Sequence, residues 1–232
     1  MAKATLNLDK AFKIELDDTV DNTTKIPVII SGDVSGSMID KPLKQLGDSI
    51  QTTLEYLSDN DYTRTSVELS LIAFNELVKV VQDFSPVDDI YFENNLKAEG
   101  LTYMGKAVNF AIDSLQAKLQ EYKSKGSLYK APLLILITDG IPSDDITAAA
   151  NRCADLVARR KLTFLGIGVG DHADMNELKR FNPKGRVIKA PSFDDLEELL
   201  IWVSYQLSAT SQAGPGEEVQ SNVELDPKFK LF

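Results

Sequence analysis

The chain has 232 residues, 43% of them hydrophobic and 26% charged, the balance of a globular protein with apolar content for one sizeable core. A formal charge of −10 opposes nucleic acid and anionic membranes through the long-range field, so neither is expected as a partner. No stretch approaches the about 18 apolar residues of a membrane-spanning helix, the N-terminus lacks the apolar run of a secretion signal, and the lone Cys153 excludes an internal disulfide; the expected setting is cytoplasmic.

Residues 1–24 read as an N-terminal extension of mixed charge, in which Phe12, Ile14 and Leu16 alternate with Lys13 and Glu15 at the period of a half-buried strand and admit an extra edge strand. The first core strand is predicted over 25–32, and Asp33-Val34-Ser35-Gly36-Ser37 follows it directly. Leu43, Leu46, Ile50, Leu54 and Leu57 recur at steps of three and four, the stripe of a helix. Strands over 66–74 and 77–84 are separated only by Asn75 and Glu76, too short for a parallel crossover, which predicts an antiparallel edge hairpin. An irregular connection over 86–100 then delivers the chain to Thr102.

A second helical stripe (Ala107, Val108, Ala111, Ile112, Leu115, Leu119) precedes a strand over 132–138, which runs into Asp139. A third stripe on Ile146, Ala149, Ala150, Cys153 and Val157 precedes a strand over 162–168, and a short strand over 186–189 leads to a fourth stripe on Leu196, Leu199, Leu200, Val203 and Leu207. From 209 to 232 apolar periodicity is lost, which predicts a flexible tail whose end, Phe229 to Phe232, is apolar enough to dock but is expected to fray. Helices alternating with strands predict an α/β fold over 25–208: a doubly wound, mainly parallel sheet of about six strands with helices on both faces.

In such a sheet, ligands collect at the carboxyl ends of strands where strand order reverses. With the first strand central, the hairpin on one side and the strand over 132–138 on the other, Asp33 and Asp139 become neighbours across more than a hundred residues. Asp33, Ser35, Ser37, Thr102 and Asp139 then offer hydroxyl and carboxylate oxygens only, the donors a small hard cation such as Mg²⁺ takes, with Mn²⁺ or Ca²⁺ as substitutes. Two carboxylates at most cancel the charge of a divalent ion, which leaves it electrophilic toward an incoming acidic group.

Each residue alone has a plainer reading. An isolated Asp33, Asp139, Ser35, Ser37 or Thr102 reads as a turn or helix cap, and Asp144 and Asp145 read as caps at a helix start. His172 is expected in a solvated turn, the glycines at 166, 168 and 170 in packing and turn roles, and Trp202 as an anchor of the last helix. A phosphohydrolase built on Asp33 needs a second acid two residues on, where Ser35 stands, and the chain has neither a Gly-x-Ser-x-Gly elbow nor a Gly-Lys-Ser/Thr phosphate loop.

The ordered set Asp-x-Ser-x-Ser, Gly-Leu-Thr and Thr-Asp-Gly resembles the von Willebrand factor type A family, whose metal-ion-dependent adhesion site (MIDAS) has the pattern Asp-x-Ser-x-Ser, then Thr, then Asp. The resemblance runs from Ile26 to Ser208 and assigns Asp33, Ser35, Ser37, Thr102 and Asp139 as the five metal positions. It implies a Rossmann-like domain that captures a partner's Glu or Asp through the cation without performing chemistry. Gly100-Leu101-Thr102 departs from the commoner Gly-Gly-Thr, and Ser31-Gly32 from the apolar residues that usually precede the first Asp. Segments 137–145, 166–170 and 201–208 are similar to TerY-type proteins of bacterial tellurite resistance and stress response, which implies a phosphatase or kinase of that system as partner. The alternatives are a metal-dependent phosphohydrolase and a structural subunit of a larger ATPase-type assembly.

Overall fold

The computed structural model describes residues 24–183, 185, 187–212 and 223–232. The edge strand admitted at Phe12 to Leu16 lies outside these residues.

Among the described residues seven strands form one sheet in the order β3-β2-β1-β4-β5-β6-β7. They are β1 (Ile26–Asp33), β2 (Val67–Phe74), β3 (Val78–Pro86), β4 (Leu133–Thr138), β5 (Thr163–Val169), β6 (Ile188–Ala190) and β7 (Lys230–Leu231). β1 pairs in parallel with both β2 and β4, so order reverses between β1 and β4, as the sequence predicts. The β2–β3 pair is the expected antiparallel hairpin at one edge, with register shifts between Leu69 and Ile72. β3 carries on to Pro86, which an edge strand tolerates because a missing N–H costs no ladder bond there.

Among the described residues six α-helices cover the sheet: α1 (Lys41–Asp59), α2 (Asp61–Ser66), α3 (Met104–Lys125), α4 (Thr147–Ala158), α5 (Met175–Phe181) and α6 (Leu196–Gln212). Every residue of β1, β4 and β5 is buried, which is why these strands read as continuous apolar runs without alternation. Successive side chains still point to opposite faces. Ile26, Val28 and Ile30 pack with Leu133, Ile135 and Ile137 against the stripes of α1 and α6. Ile29, Leu134 and Leu136 face Val108, Ala111 and Ile112 of α3, Ala149 and Ala150 of α4, and Leu178 and Phe181 of α5. Each fully buried aliphatic side chain contributes about 1.5–3 kcal/mol. Gly32 permits the close approach of α1, since a Cβ there would stand 3.0 Å from a methyl of Leu46.

The short helices α2 and α5 go beyond the expected set. Each is started by a side-chain cap: Asn60 Oδ1 accepts from the N–H groups of Tyr62 and Thr63, and Asp174 Oδ1 from those of Asn176 and Glu177. The chain's end also differs from the predicted fraying tail. Helix α6 continues to Gln212, β7 pairs antiparallel with β6, and Phe229 is buried against the α1 and α6 side of the core. Lys228 holds this return through Asp195 at 3.0 Å and Glu198 at 2.5 Å, and the Trp202 indole donates to the Val223 carbonyl at 3.0 Å, an anchoring role as expected. These contacts join residues far apart in sequence, which local periodicity does not report.

His172 is exposed in the turn after β5, and Gly170, at φ +74°, supplies the left-handed conformation that turn requires. Gly168 makes room for α5: a Cβ there would collide with the Met175 sulfur. Cys153 is buried on α4, and burial pushes its thiol up to about 12. No helix among the described residues is long and apolar enough to cross a membrane.

Candidate metal centre

Three loops meet at the carboxyl ends of β1 and β4. The first leaves β1 at Asp33, which is fully buried. Its Oδ1 accepts the Ser35 N–H at 2.8 Å, turning the chain sharply, and its Oδ2 accepts the Thr138 hydroxyl at 2.6 Å from the neighbouring strand. Thr138 Oγ1 in turn accepts the Gly140 N–H at 3.2 Å, so one hydroxyl sets both the Asp33 carboxylate and the turn that carries Asp139. The turn brings Ser35 and Ser37 to the same side, their hydroxyl oxygens 3.2 Å apart, and the Ser37 hydroxyl donates to Asp139 Oδ1 at 2.8 Å.

The second loop is held to the first by two backbone bonds, Glu99 N–H to Val34 O and Gly36 N–H to Gly100 O, each 3.0 Å. It positions Thr102, 5% exposed, just before α3. Ser143 clamps the same residue from the third loop: its N–H donates to Thr102 O at 2.8 Å and its Oγ accepts the Thr102 N–H at 3.3 Å. A Cβ on Gly140 would lie 3.2 Å from Thr102 Oγ1 and 3.9 Å from Asp33 Oδ2. The Thr102 hydroxyl and the Asp33 carboxylate therefore border one small space that the glycine keeps open.

All five residues singled out by sequence thus stand together, with Asp33, Ser35 and Thr102 buried and Ser37 exposed at the solvent side. Burial pushes the Asp33 carboxyl up from 3.8 to about 6, against the hydrogen bonds from Thr138 and Ser35 that favour its anion; the Asp139 charge raises it further. A buried carboxylate kept in this state gains from a cation brought beside it. The donor set is three hydroxyls and two carboxylates without nitrogen or sulfur, which fits a hard divalent ion. Each Asp33 oxygen already accepts one bond and keeps lone-pair capacity for a water or a metal. Among the described residues no group of three His, Cys, Asp or Glu side chains gathers to make a site of another kind.

The acidic pair beyond Asp139 serves as caps. Asp145 Oδ1 accepts the Thr147 N–H at 2.8 Å and starts α4, whereas Asp144 reaches across to α3, accepting from Gly105 N–H at 3.1 Å and Lys106 N–H at 2.9 Å. Capping was expected of both, but not that Asp144 would cap a helix forty residues upstream. Thr138 and Ser143 are the positioning residues that sequence reasoning missed; a Thr directly before Asp139 was the available signal for the first. A groove of about 700 Å³ beside Leu115, Tyr129 and Arg159 lies at the amino ends of β4 and β5 and shares no residue with this centre.

A doubly wound α/β domain whose switch point gathers oxygen donors from three loops is the class that fold and site define. Residues 28–200 match the von Willebrand factor type A domain, and the chain belongs to that family. Human inter-alpha-trypsin inhibitor heavy chain H6 is 24% identical over 185 residues, 75% of this chain and 14% of that protein, so the chain spans a small part of this relative's length. The fold is also that of the von Willebrand factor type A protein from Catenulispora acidiphila, with a TM-score of 0.59 and 18% identity over 79% of this chain and 43% of that one. Proximal thread matrix protein 1 from the mussel byssus, solved with a zinc-occupied MIDAS motif, aligns with a TM-score of 0.57 and 17% identity over 80% of this chain and 48% of that one.

Proposed function

We propose that this chain is a metal-ion-dependent protein-interaction module, in which Asp33, Ser35, Ser37, Thr102 and Asp139 hold a divalent cation, Mg²⁺ with Mn²⁺ or Ca²⁺ as substitutes, and a Glu or Asp of a partner protein docks on it. The observation that carries this reading is the convergence of the five oxygen donors, with Ser37 bonded to Asp139 across 102 residues and Thr102 facing Asp33 over the Gly140 gap. A bound divalent ion supplies an electrophilic position that an incoming carboxylate completes. The chain's own residues prepare that position: Thr138 and the Ser35 N–H orient Asp33, Ser143 fixes Thr102, and the exposed Ser37 leaves the solvent side open. The zinc-occupied site of the mussel protein supports a divalent ion at the corresponding place.

Binding is favoured over hydrolysis because the position two residues after Asp33, where a hydrolase of this kind needs an acid, holds the neutral Ser35. Segments 137–145, 166–170 and 201–208 support placing the module in a cytoplasmic tellurite-resistance and stress-response system, with a phosphatase or kinase as the partner that supplies the acidic side chain. The test is Mn²⁺ binding followed by electron paramagnetic resonance, comparing wild type with Thr102→Val, which keeps the side-chain shape and removes one hydroxyl. The variant is expected to lose about tenfold or more in affinity. Equal affinities would overturn the assignment of Thr102, and a wild type without Mn²⁺ binding would overturn the site.

A further inference from the structure

Among the described residues, only four Leu or Ile side chains are exposed: Ile39 (55%), Leu77 (70%), Leu101 (50%) and Ile141 (63%). All four stand on the loops at the carboxyl end of the sheet, around the metal centre. Ile39 follows Ser37 by two residues, Leu101 directly precedes Thr102, and Ile141 follows Asp139 by two. Leu77 sits in the β2–β3 turn, which is tied to the Thr102 loop: the Asn75 carboxamide donates to Glu99 O at 3.0 Å, and Asn75 O accepts the Tyr103 N–H at 3.2 Å. With the bonds that join Gly36 to Gly100 and Thr102 to Ser143, the loops that carry the donors and the four aliphatic side chains are tied together.

Single exposed apolar residues are ordinary on a protein surface, and Val80, Phe110, Val223 and Phe232 are exposed elsewhere, but the four exposed Leu and Ile side chains all stand on loops at the pole that carries the site. Asp40, Glu76, Glu99 and Asp145 are exposed on the same loops and repel an anionic membrane, which points to a protein partner. We propose that Ile39, Leu77, Leu101 and Ile141 form an apolar collar that selects a partner whose docking Asp or Glu stands on an apolar segment, flanked by side chains such as Leu or Ile. The carboxylate gives the anchor, and the flanks bury the collar. This inference rests on the reading of the centre as a cation-dependent docking point.

The experiment uses the full chain loaded with Mn²⁺ and two fluorescent peptides, one with a single Asp flanked by leucines and one with the same Asp flanked by serines. The leucine-flanked peptide is expected to bind about tenfold or more tighter, and the preference disappears in the Leu101→Ser, Ile141→Ser double variant while its Mn²⁺ resonance signal and affinity stay those of wild type. In chelator, emission of the apolar dye ANS falls in the variant, a readout that needs no metal. Equal or undetectable binding of both peptides by the Mn²⁺-loaded wild type overturns the collar and leaves the metal site standing. Absence of Mn²⁺ binding overturns the site and the collar with it. Peptide binding that survives chelator, or Mn²⁺-dependent adsorption to phosphatidylserine vesicles in place of peptide binding, overturns the choice of partner.

Discussion

Replacing Asp33 by Asn tests the electrostatics of the centre, because it removes a charge while leaving the shape. In the unfolded chain the carboxyl titrates at 3.8 and in the fold at about 6, raised chiefly by burial. The folded state therefore holds the proton more tightly. The stabilisation this provides is complete below 3.8 and is lost as pH rises through 6, so at neutral pH the buried anion costs about 3 kcal/mol relative to the protonated form. An amide is neutral throughout. In Asp33→Asn the Ser35 N–H keeps its acceptor and the new NH₂ donates to Thr138 Oγ1, while the Thr138 hydroxyl proton gives up its bond to residue 33 at a cost of about 1 kcal/mol. In chelator at pH 7.5 the variant is expected to exceed wild type by about 2 kcal/mol in urea denaturation, the gap closing to about zero at pH 4.5. With a divalent cation at a hundred times its Kd, wild type gains about 2.7 kcal/mol and the variant gains little. A variant less stable than chelated wild type at pH 7.5, or a gap that does not change with pH, would refute the reasoning.

Two further changes probe what holds the site and the chain's end. Asp144→Ala leaves the Gly105 and Lys106 N–H groups without their acceptor at the start of α3 and is expected to cost about 1–2 kcal/mol in urea denaturation, without requiring any change at α4, which Asp145 starts. Phe229→Ala removes the buried ring under the returning chain; loss of such a ring costs about 3–5 kcal/mol in a rigid core, and here it should appear as faster amide exchange at Val187 and Phe232, whose mutual hydrogen bonds close the sheet edge. Unchanged protection at both amides would show that β7 is held by the Lys228 ion pairs instead.

Most of the fold was legible because β1, β4 and β5 are buried on both faces and α1, α3, α4 and α6 each keep a one-sided apolar stripe. The short turn at Asn75 and Glu76 announced the β2–β3 hairpin, and the order β3-β2-β1-β4 is the one expected once β1 is placed centrally between that hairpin and β4. The short helices α2 and α5 are too brief to show a periodic apolar stripe, and only the capping-box spacing from Asp174 to Glu177 marks the second of them in the sequence. β7 is two residues long, and its pairing with β6 depends on a contact that no local pattern announces.

At the site, the five donors were readable because each must leave a strand or enter a helix at a set distance from the core, and that requirement writes their spacing into the chain. Ser143 and Asp144 carry no such constraint; they act on Thr102 and α3 through the fold, so their role emerges only when the loops are placed side by side. The collar lies furthest from sequence. Leu101 could be seen as a departure from a commoner glycine, but one aliphatic in a loop predicts burial as readily as exposure. Its meaning comes from company: it is half exposed, beside Thr102, on a pole that also exposes Ile39, Leu77 and Ile141, while the other described Leu and Ile side chains lie at least partly covered. A folding argument has no use for that distribution, whereas a docking surface needs it, and this asymmetry makes the flanks of the partner's carboxylate the next thing to measure.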